Sequence, residues 1–179
     1  MKRYKEIWSV KIARYLLLAA FPARLAYSMI GLAIFFKAEQ TTGSIPVAGL
    51  ALGLNSLAGS FTAGIRGAAI DRWGHKWPIR ILVPGYAAGI FMENMATSST
   101  EILVWAFILG ISAPPINISI RPLWKQIFSE DMVRSAYGID SALMNSVGVV
   151  GPAIATTLAL SNHPGSALIV CSASMLIGG

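Results

Sequence analysis

The sequence predicts an all-α integral membrane protein with five full transmembrane helices and a partial sixth. Three observations carry that expectation. The chain of 179 residues is 55% hydrophobic and only 12% charged, with a mean hydropathy of +0.63. Soluble domains carry about 25% charged residues. Long apolar runs follow one another, separated by loops of a few residues, and the cations alternate from loop to loop. The apolar content excludes disorder, and the shortage of charge excludes a water-soluble surface. At roughly 20 residues per crossing, the length admits at most about six or seven spans. No Ser/Gly-rich linker or soluble domain interrupts the chain, so residues 1–179 read as a single transmembrane domain.

Residues Met1 to Arg14 form a basic interfacial segment holding Lys2, Arg3, Lys5, Lys11 and Arg14. Tyr4, Ile7, Trp8 and Ile12 fall at helical spacing, which predicts a short helix with Trp8 at headgroup depth. The first span runs from about Tyr15 to Phe36. It has the basic front of a signal peptide, but its 22 residues, Pro22, Arg24 and the lack of a cleavage site mark a retained span. Arg24 lies roughly 14 Å into it at 1.5 Å per residue, near the midplane of a core about 30 Å thick. A cation there faces a cavity or a partner. Arg24 is thus a candidate to line a solute cavity, or to pair with an acid on another helix.

The second span covers about Ile45 to Ile65. Asn55 near its middle is a candidate donor to a solute, and a buried amide also joins helices. Gly49, Gly53, Ser56, Ser60 and Gly64 fall mostly on one face, which predicts close packing against another helix. The third span, about Pro78 to Thr97, carries Glu93 within about a turn of its outer end; Glu93 is a candidate protonatable group, expected to be wet. The fourth, about Ile102 to Ile120, contains Pro114 and Pro115, which should kink it as Pro22 kinks the first. The fifth runs from about Ala136 to Leu160. Asp140, a second candidate protonatable group, is expected in its first turn, where a negative charge suits the helix dipole, within reach of Arg72 or Arg134. Asn145, a third of the way in, is another candidate donor. A last run, residues 166–179, has 14 residues, short of the roughly 17 a crossing needs. The single Cys171 sits in that run and is expected to be buried and inert.

Twelve of the 14 Lys and Arg fall in the N-terminal segment and in the loops after the second and fourth spans, with their flanks. The opposite loops hold only Lys37. By the positive-inside rule the N-terminus is cytoplasmic. The same distribution reads the net charge of +6 as topology rather than as a nucleic-acid surface.

The loop between spans two and three reads Gly67-Ala-Ala-Ile-Asp71-Arg72-Trp73-Gly74-His75-Lys76, followed by Pro78 and Arg80. Gly67 would let span two pack closely, Gly74 would give the turn its backbone freedom, and Asp71 could pair with Arg72 or Lys76 or cap the next helix. This loop resembles the signature G-x-x-x-D-R-x-G-x-K/R of the major facilitator superfamily, in the same place and on the same side. The resemblance implies a cytoplasmic latch that opens and closes during alternating access. Gly151-Pro152 is similar to the Gly-Pro of the family's fifth-helix motif, although Val147, Ala155 and Thr156 stand where that motif has glycines. Gly110 matches the fourth-helix motif, but Ala106 occupies its arginine position. Phe21-Pro-Ala-Arg24-Leu, and Pro114-Pro115 through Arg121-Pro-Leu-Trp124, look like a subgroup of bacterial facilitators.

The resemblance covers the N-terminal half of that fold, ending within its sixth helix, and implies two inverted three-helix repeats. It implies a secondary transporter that moves a small solute by alternating access, driven by a proton or another gradient, in a bacterial inner membrane. A second expectation stands beside it. The chain could be a non-transporting fragment, or a half-transporter subunit that needs a C-terminal six-helix partner or a second copy of itself. No hydrolase elbow, zinc-protease motif, phosphate loop or dinucleotide fingerprint occurs, so neither enzyme activity nor a cofactor is expected. His75 and His163 have no ligand-type residue at metal-binding spacing.

Overall fold

The computed structural model describes residues 2–74, 76–161 and 165–179; His75 and His163, and the side chains of residues 2–5 (Lys2, Arg3, Tyr4 and Lys5) and 117–119, lie outside that description. Within it the regular elements are helices: α1 (Lys2–Ser9), α2 (Lys11–Thr42), α3 (Ile45–Trp73), α4 (Lys76–Met95), α5 (Ser99–Ser112), α6 (Ile116–Ile127), α7 (Glu130–Ala159) and α8 (Ser166–Gly178). The apolar runs mark the hydrocarbon part of each helix, not its ends. Hence α2 continues to Thr42, α3 to Trp73, and α7 starts at Glu130 rather than near Ala136.

Local chemistry sets the junctions. Gly43 ends α2 at φ 66°, its N–H donating to the Glu39 carbonyl, and Ser44 accepts from the Val47 N–H to open α3. Gly74 closes α3 at φ 75°, where any side chain would be strained. Ser98 and Glu101 form a reciprocal capping box at the start of α5.

α2 is the hub, packing against α3, α7 and α8; α3 also packs on α5, and α4 on α5 and α8. Its buried positions include Ala13, Ala20, Ala23, Ala26, Ala33 and Ala38. Small side chains at helical spacing let neighbouring backbones approach, which is how helices associate where no water drives them together. Two glycines mark close approaches between long helices. A Cβ at Gly110 on α5 would collide with the Asn55 carbonyl oxygen of α3, and one at Gly151 on α7 would collide with Ser28 Oγ of α2.

Among the described residues three helices, α2, α3 and α7, are long and apolar enough to cross a bilayer; α4 has 20 residues, and α5 and α8 have 14 and 13. In the N-terminal segment Ile7 is fully buried and α1 packs against α7, while Trp8 is exposed. Two expectations change. The fourth run is two helices, broken over residues 113–115 rather than kinked. The small-residue stripe of α3 packs against nothing among the described residues: Cβ atoms at Gly49, Gly53 and Gly64 would meet no atom within 4 Å, and Ser56 and Ser60 are exposed. The opposite stripe, Ala48, Ala51 and Ala58, is the buried one.

Candidate functional site

The break between α5 and α6 is held by polar side chains from α2 and α3. In a continuous helix the N–H groups at 114 and 115 would donate to the carbonyls of Gly110 and Ile111. Both residues are proline and have no N–H. Arg66, from the C-terminal third of α3, supplies the missing donors: its Nη1 donates to Gly110 O at 2.7 Å and to Ile111 O at 2.9 Å, and its Nη2 donates to Gly59 O at 2.8 Å. The Tyr27 hydroxyl of α2 donates to the Pro114 carbonyl just beyond. Non-helical backbone at membrane depth is tolerated only where protein or a cavity satisfies it, and one guanidinium and one phenol do that here.

A cavity of about 490 Å³ opens beside the break, between α2, α3, α4 and α5. Tyr27, Asn55, Ser56, Ser60 and Tyr86 are its polar lining. A second space of about 260 Å³, lined by Arg66, Pro114 and Pro115, shares Tyr27, Ala63 and Ala113 with the first. Tyr27 and Tyr86 stack with ring centroids 5.8 Å apart. The Asn55 amide nitrogen donates to Ala106 O at 3.0 Å, which leaves its carbonyl oxygen as an acceptor. A guanidinium has five N–H donors; the three contacts above leave two for a ligand. The lining thus carries one full positive charge and no carboxylate, a composition that suits a small solute with an acidic or acceptor-rich end.

The other candidates fall in different places. Arg24 is 3% exposed and lines neither cavity; its Nη2 lies 2.7 Å from Asp140 Oδ1, and Asp140 is 2% exposed. Asp140 is therefore not a first-turn charge: α7 begins ten residues earlier, Glu130 and Asp131 hold its first turn, and the partner is Arg24 rather than Arg72 or Arg134. The pair is an ion contact without hydrogen-bond alignment, and Arg24 Nε and Nη1 also lack partners. Glu93 is not wet. It is 0% exposed, and neither carboxyl oxygen has a hydrogen-bond partner. Asn145 points outward from α7 and is exposed. Gly151 is buried against α2 and Pro152 continues the helix. Cys171 is buried, its thiol 3.8 Å from Ala26 O.

The stretch read as a loop is mostly helical: Asp71 and Arg72 are in the last turn of α3, and Lys76 and Arg80 begin α4; all four are exposed, and no ion pair joins them among the described residues. Arg72 lies 5.9 Å from the Trp73 ring centroid. Gly67 has open space around it, so it makes no close approach within this chain.

Sequence reasoning missed Arg66, Tyr27 and Tyr86 as site residues. Arg66 counted only as a loop cation because the hydropathy of span two ends at Ile65. The helix runs two more turns, which puts Arg66 inside it. The usable signal was the consecutive proline pair, which demands two substitute donors.

The family model of the Major Facilitator Superfamily matches residues 16–179. No curated protein and no solved structure matches the chain.

Proposed function

Because the chain belongs to the Major Facilitator Superfamily, a family of transporters, we propose that it is one half of a secondary carrier that moves a small solute by alternating access. The observation that carries this reading is the broken α5–α6 helix, with Arg66 and Tyr27 holding its freed carbonyls beside a cavity. Interrupted helices with exposed dipole ends are how carriers hold ions and polar solutes at membrane depth. Arg66 binds the acidic end of the solute, Asn55 and Ser60 contact its polar body, and Tyr27 and Tyr86 form its apolar wall. The exposed Asp71–Lys76 loop is the latch that changes partners between states. Glu93, an unpartnered buried acid, carries the coupling proton; Asp140 already has a cationic partner in Arg24. The N-terminus faces the cytoplasm of a bacterial inner membrane, on the strength of the cation asymmetry.

Open space at Gly49, Gly53 and Gly64 on α3 and at Gly148 on α7 favours a subunit that works against a second six-helix bundle. Small exposed residues on two long helices are what a close helix–helix interface needs. Flux tests both statements. Membrane vesicles holding the chain, alone and with any co-purifying membrane partner, are offered a panel of small carboxylates, phosphates and zwitterions under imposed pH and voltage gradients. The expected result is gradient-dependent movement of an acidic solute, lost in Arg66→Ala. No flux in either preparation under any gradient overturns the carrier reading.

A further inference from the structure

The cytoplasmic ends of α3 and α4 leave a groove of about 550 Å³ that shares no lining residue with the larger cavity above and only Arg66 with the smaller one. Its walls are apolar: Ile65, Ala69 and Trp73 from one helix, and Trp77, Ile81 and Leu82 from the other. Trp73 and Trp77 are 64% and 65% exposed, so two largely uncovered indoles stand at its mouth, with the Arg72 guanidinium over the Trp73 ring. Arg72, Lys76 and Arg80 stand on the same two helix ends, next in the chain to the lining residues Trp73, Trp77 and Ile81, and all three are exposed. Among the described residues none of the three has a carboxylate within ion-pair distance. Arg66 also lines this groove, with three of its five N–H donors directed to the carbonyls of Gly59, Gly110 and Ile111.

We propose that this groove is a binding site for one anionic phospholipid, with an acyl chain between α3 and α4 and the phosphate among Arg72, Lys76 and Arg80. The occupant follows from the order of chemistry along the groove. Cations come first, at the helix ends. Tryptophans come next, the side chains that prefer headgroup depth because one edge donates a hydrogen bond and the face is apolar. Aliphatic side chains follow toward the core. A zwitterionic lipid would fit the apolar part equally well and would leave the three cations without a counter-charge. Basic pockets between helices at a cytoplasmic surface are the general form of anionic-lipid sites. The proposal rests on the membrane placement argued above, not on the carrier activity.

The test is tryptophan quenching in vesicles. The full chain is reconstituted in phosphatidylcholine containing a tenth of either brominated phosphatidylglycerol or brominated phosphatidylcholine. The expected result is stronger quenching by the anionic lipid. That excess disappears in Trp73→Phe/Trp77→Phe and in Arg72→Gln/Lys76→Gln/Arg80→Gln, each cation contributing at most about fivefold to the preference at low salt. Equal quenching by the two lipids would mean ordinary boundary lipid and would overturn the proposal. So would an anionic excess that survives the triple variant, which would place the site beside Trp8. Indoles shielded from both lipids would mean that protein covers the groove, and would overturn it as well. A chain that alkaline carbonate strips from the vesicles would refute the membrane placement itself. Circular dichroism checks that both variants remain helical.

Discussion

Removing either partner of the Arg24–Asp140 pair should destabilise the bundle far more than removing both. Each side chain is at least 97% buried, and the charged atoms are 2.7 Å apart. With charge centres roughly 4 Å apart and an effective dielectric of about 20, the attraction is about 4 kcal/mol. Desolvating the two ions offsets most of it, so the net contribution of the pair is small. Losing one partner is different, because the survivor keeps the burial and loses the attraction, a loss of about 3–5 kcal/mol. The perturbations are Arg24→Met, Asp140→Leu and the double replacement, in detergent–lipid micelles. Unfolding is followed by helical circular dichroism as sodium dodecyl sulfate is raised. Each single variant should lose about 3 kcal/mol or more, and the double variant should fall within about 2 kcal/mol of the parent, since two apolar side chains can share that volume between α2 and α7. Additive losses would refute the reasoning, as would single variants that cost under about 1 kcal/mol; either would mean the pair is not interacting or is hydrated.

Arg66→Met should cost at least about 3 kcal/mol, since it leaves three carbonyls without charge-assisted donors; in a Pro114→Ala/Pro115→Ala background the same change should cost markedly less, read by the same titration. Gly110→Ala should lower the unfolding free energy by about 1–3 kcal/mol, because the added methyl collides with the α3 backbone and two helices must move apart. At Gly151→Ala the obstacle is the Ser28 side chain, so Ser28→Ala should recover part of the loss. Backbone N–H groups of Thr97 and Ser98 hold the Glu101 carboxyl below the usual carboxylate range. Its support for α5 is therefore full above the unfolded pKa of about 4.3 and disappears as pH falls through the depressed folded value. Thermal midpoints of the parent and Glu101→Gln should converge in acid and separate above it.

What the sequence made legible was local. Gly74 sits at the end of α3, where its positive φ is needed, while residues 67–73, read as loop, are the last turns of that helix. The proline pair marked the interrupted fourth run. What sequence could not supply was which helix repairs that interruption, because Arg66 is 44 and 45 residues from the carbonyls it reaches. Hydropathy stops at the hydrocarbon boundary while backbone hydrogen bonding does not, so the helices extend past the ends their apolar runs suggest. That difference hid Arg66 in a loop and misplaced Asp140, which the early start of α7 carries roughly 15 Å inward. Glu93 departs from expectation for another reason. It lies two residues from the end of α4, where exposure is the default, yet it sits on the face buried by neighbouring helices. In a helix that is apolar on most sides, periodicity does not say which face is inside.

The most direct test of the central claim is whether water and solute reach the space beside the α5–α6 break. In a Cys171→Ser background, Ser60→Cys lines the proposed path, and Ile169→Cys on α8 is half exposed on the outer surface of the bundle. A membrane-impermeant maleimide is applied to sealed vesicles. The account predicts rapid labelling at position 60, slowed by an acidic solute that the flux panel identifies, and little at position 169. Equal labelling of the two positions, or none at 60 from either side of the membrane, would contradict it.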